Sequence, residues 1–232
     1  MTARFFRRKI SWGQLRQQTG LVPPPGVGPP PADYNIAPNS HAPVLRPSAP
    51  GLYEGDYAPY GAVILDPAFW GLVPVWWQKP LSEKKFSTFN ARAETLQESK
   101  SFSGAFKYGR CLVPASGFYA WSGSKGAATP FAIAVKDADW FCFAGLWTRA
   151  MIDGSEFDTF AIITTRPNDL VASFSTSMPV ILRPEDHARW LDPATHAPER
   201  FLRPYPADEM TAWPASPHVG NVRNNGPDML GE

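Results

Sequence analysis

The sequence predicts an α+β fold: a single domain with a largely antiparallel, barrel-like β-sheet core and flanking helices. Three observations carry this. Short runs rich in Val, Ile, Phe, Thr and Trp recur at 61–65, 110–113, 117–121, 131–135, 140–147, 157–165 and 179–182, each bounded by Gly, Pro, Asp or Ser. The strand–helix–strand rhythm of a parallel sheet is absent, as is any internal repeat. Twenty-six prolines among 232 residues argue for many loops and against a helical bundle. No composition break divides 34–190, so one domain is expected over 1–232.

The elements follow in order. The N-terminus carries Arg4, Arg7, Arg8 and Lys9, a local basic patch in a chain with a net charge of only +1. That balance gives no bulk attraction to nucleic acid, so any such site must be local. The same patch also reads as a solvated arm. A helix is expected over 11–19, with Ser11 as N-cap and Gly20 as stop signal. Residues 23–31 are too rich in Pro and Gly for helix or strand. They read as an inserted polyproline-II loop, with docking to an aromatic-lined groove as the alternative. Further helices are expected at about 93–106, marked by Leu96, Phe102 and Phe106, at 168–174, and at 184–191, which opens on Pro184, Glu185 and Asp186. Asp153-Gly154 is a hairpin turn between 140–150 and 156–165. The Pro-rich segment 203–232 is expected to wrap the surface.

Cys111 and Cys142 lie in apolar strand-like runs, as buried free thiols of a reduced compartment do. His41, His187, His196 and His218 are scattered without metal-ligand spacing, so neither a metal nor a cofactor is expected. The basic N-terminus lacks the following apolar run of a signal peptide. No stretch approaches the ~18 apolar residues of a membrane span. These features predict a cytoplasmic monomer with no membrane partner.

Several constellations can carry chemistry. Removal of Met1 leaves Thr2 with a free α-amine, which titrates near pH ~7.7–8.0. Such an amine attacks an aldehyde to give a Schiff base. Trp70, Trp76 and Trp77, broken by Gly71 and Pro74, cannot all be buried on one regular element. A stacking face for a base is the functional reading, and core plus surface packing the plainer alternative. Asn90 can donate and accept at a sugar or at the N-terminal amine, and Arg92 offers a planar fork suited to phosphate. The plainer alternative makes Asn90 a helix cap.

The ordered series Tyr34-Asn35-Ile36-Ala37-Pro38, Trp70-Gly71-Leu72-Val73-Pro74, Asn90-Ala91-Arg92-Ala93-Glu94-Thr95, Gly117-Phe118-Tyr119-Ala120-Trp121 and Met178-Pro179-Val180-Ile181-Leu182 resembles the SOS response-associated peptidase family, also called the abasic-site-processing proteins. The resemblance runs from Arg4-Phe5 to Val222-Arg223-Asn224. It implies a DNA cleft lined by Arg4, Asn35, Pro38, Trp70, Arg92 and Trp121, with Asn90 in the active site. Members begin Met-Cys-Gly-Arg-Phe, and the Cys amine and thiol close a ring on the aldehyde of an abasic sugar. A Glu within Gly-Phe-Tyr-Glu-Trp and a His three residues before the Met-Pro run move the protons. Here those three positions are Thr2, Ala120 and Ser175. A hydroxyl is a poorer nucleophile than a thiol. Ala120 has no proton to exchange, and Ser175 does not change charge near neutrality.

The resemblance therefore implies a protein that binds single-stranded DNA at abasic sites in the DNA damage response, with covalent activity weak or lost. Residual Schiff-base, lyase or peptidase-type chemistry through the Thr2 amine is a second expectation. An interaction protein that uses the 23–31 loop and has abandoned DNA is a third.

Overall fold

A computed structural model describes residues 3–51, 56–123, 128–152 and 154–231. Its elements are β1 (Phe5–Arg7), α1 (Trp12–Thr19), β2 (Asp33–Ile36), β3 (His41–Pro47), β4 (Val63–Trp70), β5 (Asn90–Arg92), α2 (Ser103–Tyr108), β6 (Arg110–Ala115), β7 (Gly117–Ser122), β8 (Thr129–Val135), β9 (Phe141–Ile152), β10 (Ser155–Thr165), α3 (Asp169–Ala172), β11 (Met178–Pro179), β12 (Ile181–Leu182), α4 (His187–Leu191) and β13 (Met210–Pro214).

The strands form two sheets. The first runs β13-β8-β7-β1-β2, with every pair antiparallel. In the second, β4, β3, β6, β9 and β10 pair in that order, and β10 pairs back onto β4. Five strands thus close a ring, which removes free edges. This is the barrel-like, mostly antiparallel α+β core that the sequence predicts. β10 lies parallel to β4 and to β5.

Strand alternation sorts the interior. Cys111, Val113 and Ala115 of β6 join a cluster with Phe5, Phe118 and Ile133 of the first sheet. Leu112 points the other way, into a cluster with Leu15, Phe106 and Trp190 from the helices. β6 is buried on both faces, so it reads as an unbroken apolar run. Both thiols, Cys111 and Cys142, are buried and free.

Helix α1 forms where its caps require. Ser11 Oγ accepts from Gln14 N, and the Gln14 side chain accepts from Ser11 N at 2.9 Å, a capping box; Gly20 closes the helix at φ 69°. The long helix expected at 93–106 does not form. Residues 90–92 join β10 as a parallel strand, Ala93–Thr95 make a 3-10 turn, and only Ser103–Tyr108 are helical. Between these pieces the chain runs in separate turns, with Ser99 N donating to Thr95 O and Phe102 N to Ser99 O. The helix expected at 168–174 shortens to α3, capped by Asn168 on Val171 N at 2.9 Å. Pro184–Asp186 is a 3-10 turn leading into α4. Of the Asp153-Gly154 turn, Asp153 lies outside the described residues; Gly154 has φ +77°, and Ile152 pairs Ser155 as a tight hairpin requires.

Of the N-terminal cations, Lys9 is exposed and Arg7 is withdrawn from solvent. Arg7 is 3% exposed and donates to Pro31 O at 2.9 Å. Its burial lowers the guanidinium pKa to about 10. The same bond, with Trp12 Nε1 donating to Val27 O at 3.1 Å, ties the Pro-rich loop to the body.

Candidate nucleic-acid interface

β1 organises the site because it lies between β2 and β7. Phe5 pairs with Phe118 and with Ile36. Tyr119 N donates to Arg4 O at 3.0 Å, and one more step of that register sets Ala3 against Ala120. Thr2 lies outside the described residues. The N-terminus is thus led between the loop that carries Pro38 and the strand that carries Ala120 and Trp121.

Shared neighbours draw the other positions in. The Phe5 ring meets Trp70 edge-on at 5.2 Å, and Trp70 Nε1 donates to Phe89 O at 2.7 Å, one residue before Asn90. On the opposite side, Ala120 pairs with Phe131, whose ring packs on Phe174 at 4.5 Å, one residue before Ser175. Asn90 thus follows a partner of Trp70, and Ser175 follows the ring packed on the strand partner of Ala120.

β5 sets the orientation of the polar pair. Ala91 is fully buried in the helix-facing cluster. With a period of two, Asn90 and Arg92 point to the other side. Arg92 is exposed, and among the described residues no carboxylate pairs with it. Glu94 is engaged elsewhere, accepting from Arg166 N at 3.2 Å. Ser175 Oγ donates to Ser177 O at 2.8 Å, which fixes a turn ahead of β11. Ala120 is 4% exposed within the apolar cluster. Trp121 is half-buried, with its ring 6.5 Å from Tyr119. Pro38 is half-buried and borders a cavity with Phe69 and Phe89.

Three expected DNA contacts have other work. Trp70 is fully buried and stacked on Phe160 at 6.1 Å and 12°, so it has no free face for a base. The exposed ring is its neighbour Trp76, which stacks on Phe86 at 6.4 Å and 22°. Asn35 is buried, and its amide donates to the carbonyls of Val219, Asn221 and Asn224 at 3.2, 2.9 and 2.8 Å. Arg4 Nη1 donates to Asn35 Oδ1 and to Val219 O, both at 2.6 Å. Arg4 and Asn35 thus clamp the segment 219–224 against β2. Burial lowers the Arg4 pKa, opposed by Tyr119. The spacing of short motifs gives no signal for this, because the partners are backbone carbonyls about 185–215 residues away.

The loop before β5 went unread as a site. Lys84 and Lys85 precede Phe86 and Phe89 there, a basic and aromatic mixture that composition over a short window reveals. Among the described residues, no group of His, Cys, Asp and Glu is arranged to hold a metal. No helix among the described residues is long and apolar enough to cross a membrane.

The family model described as SOS response associated peptidase (SRAP) matches residues 1–222. The abasic site processing protein YoqW of Bacillus subtilis is 38% identical over 168 residues, covering 69% of this chain and 73% of its own. The abasic site processing protein YedK of Escherichia coli is 27% identical over 201 residues, covering 85% and 83%. A crystal structure of a protein from Bacteroides thetaiotaomicron superposes with a TM-score of 0.72 at 27% identity, covering 85% of this chain and 84% of that one. With a match that spans the N-terminal strand, both sheets and the segment clamped by Arg4, the chain belongs to the SOS response associated peptidase family.

Proposed function

We propose that this protein binds single-stranded DNA at abasic sites through the face around Asn90 and Arg92, and that its covalent chemistry is weak or lost. Relatives that match most of the chain are abasic site processing proteins, which supports the substrate class. The observation that carries the binding reading is Arg92. It is an exposed cation with no carboxylate partner among the described residues, held by β5 beside Asn90. A guanidinium so placed suits a backbone phosphate. The loss of chemistry rests on Thr2, Ala120 and Ser175, which stand where the family pattern has Cys, Glu and His. Ala120 sits among apolar side chains and supplies no proton.

The second reading is a reversible imine formed by the Thr2 amine. The register that leads Ala3, the residue after Thr2, toward Ala120 favours it. Reading the Pro-rich loop as a docking ligand gains no support, since Val27 and Pro31 already accept hydrogen bonds from Trp12 and Arg7.

The test is fluorescence anisotropy of a labelled abasic single strand across a salt series. Binding should weaken steeply with salt. Arg92→Ala should cost about 1–3 kcal/mol of affinity at low salt. Unchanged affinity in the variant removes Arg92 from the interface.

A further inference from the structure

Strand β9 outruns its neighbour β6. The two pair only as far as Leu146, opposite Arg110. One more rung follows, Trp147 N donating to Gly109 O at 2.7 Å. The residues before Gly109 belong to α2 and have left the sheet. From Thr148 to Ile152, β9 pairs with β10 alone among the described strands. Its other edge is open there. The two-residue period fixes which groups face that edge. Trp147 N points to it, so the N–H and C=O of Met151 do as well. No described backbone group meets them, and Met151 is 53% exposed.

Where α2 departs, a cavity of about 450 Å³ lies along this edge, with Pro74, Val75, Trp76, Ala105, Tyr108 and Arg149 among its walls. The polar atoms around it are engaged. Trp76 Nε1 donates to Lys100 O at 3.0 Å, and Thr148 Oγ1 to Val73 O at 2.7 Å. The Arg149 guanidinium pairs with Asp158 at 2.8 Å. The cavity therefore suits an apolar group that asks for no hydrogen bond. Val75, Trp76, Tyr108 and Met151 are each more than half exposed, and large apolar side chains grouped in this way mark an interaction surface. Lys100 is exposed on the wall, and among the described residues no carboxylate pairs with it.

An open strand edge selects its partner. An extended peptide carries the alternating N–H and C=O groups that continue a ladder, and nucleic acid does not. We infer that this edge of β9 is a docking site for an extended, acidic segment of a partner protein. The segment adds antiparallel to β9, in the place β6 would hold had it continued. Its backbone completes the ladder at Met151, one apolar side chain enters the cavity, and a neighbouring carboxylate meets Lys100. The inference is independent of the DNA reading above.

The experiment uses the full chain and a fluorescein-labelled peptide, Thr-Val-Thr-Phe-Glu-Val, followed by anisotropy and by amide NMR. Three further peptides accompany it. Two are N-methylated on one or the other set of alternate residues, and the third has Lys in place of Glu. Met151→Pro removes the edge N–H without touching the bonds to β10. Gly104→Trp fills the mouth of the cavity, since Gly104 is exposed and a Cβ there meets nothing within 4 Å. Melting is checked for both variants; if Gly104→Trp fails to fold, Met151→Pro decides. The expected result is saturable binding with slowed exchange of the Met151 amide. Affinity should fall about tenfold in each variant and with the Lys peptide. One N-methylated peptide should lose binding and the other keep it, while both variants hold an abasic single strand as the native chain does. Equal binding by the two N-methylated peptides overturns strand addition. No saturation, or binding that both variants leave unchanged, overturns the site. Displacement of the peptide by oligothymidylate assigns the face to DNA and overturns the peptide. A dimer in sedimentation that Met151→Pro dissolves makes a second copy the occupant and overturns the partner.

Discussion

At the scale of single residues, burial separates side chains that motifs cannot tell apart. Arg4 and Arg92 both belong to family-like motifs. Yet Arg4 spends its guanidinium on Asn35, Val219 and Gly220, while Arg92 stands exposed. Asn35→Leu should therefore destabilise the fold by about 1–3 kcal/mol, because three carbonyls and a guanidinium lose their partner. Urea unfolding with limited proteolysis checks this; cleavage should appear within 219–224 before global unfolding. A variant that keeps its stability but loses DNA would return Asn35 to the interface. Trp70→Ala should likewise cost about 3–5 kcal/mol of stability, since it empties space among Phe5, Phe89 and Phe160. The motif order was legible in the sequence, and its Asn90–Arg92 and Gly117–Trp121 runs fall on β5 and β7. Which aromatic faces solvent was not legible. Trp70 is enclosed against Phe160 while Trp76 stacks on Phe86 and stays half open to solvent, and local sequence does not encode that.

At the scale of elements, what was legible depended on how local the cause is. Ser11, Gln14 and Gly20 fix α1 within ten residues, and it formed as expected. Long strands such as β9 and β10 announce themselves by composition. β3 does not, because Pro43 and Pro47 argue against a strand. Pro43 is tolerated since it faces Pro67 of β4, and β3 meets β6 only at Leu45. No missing N–H is needed there. β5 is three residues long, too short for any period to show. Helix α4 carries a pH consequence. His187 is 2% exposed, and its burial lowers its pKa, opposed by the Gln18 and Leu182 backbone and by Asp186. The unfolded chain binds this proton more readily than the folded one. Stability from this site is fully present above the ordinary value of about 6.5 and is lost as pH falls through the folded value. Urea unfolding at pH 7.5 and 5.5 should show a loss for the native chain and a smaller one for His187→Phe. Equal losses would place the titrating group elsewhere.

At the scale of the molecule, the closed ring of five strands holds a buried charge cluster that no motif signalled. Arg46 is fully buried, 2.6 Å from Asp56, 2.5 Å from Asp66 and 4.5 Å over Trp147. Desolvation raises the Asp66 pKa, while bonds from Arg46 and Ala49 N lower that of Asp56 against its own burial. Arg46→Met leaves facing carboxylates without their cation and should cost about 3–5 kcal/mol in chemical denaturation. A loss near zero would show that the cluster relaxes into water. On the reading proposed above, Asn90 and Arg92 serve binding, while Thr2, Ala120 and Ser175 stand in sequence where the family pattern has Cys, Glu and His. The central claim is recognition without a lasting bond. It is tested by incubating the protein with an abasic single strand and resolving the heated mixture on a denaturing gel, with and without borohydride. The account predicts no adduct without reductant, and with reductant at most a band that N-terminal acetylation abolishes. Thr2→Cys combined with Ala120→Glu and Ser175→His should yield a heat-stable adduct on the same gel. A robust adduct from the unmodified protein in the absence of reductant would contradict it.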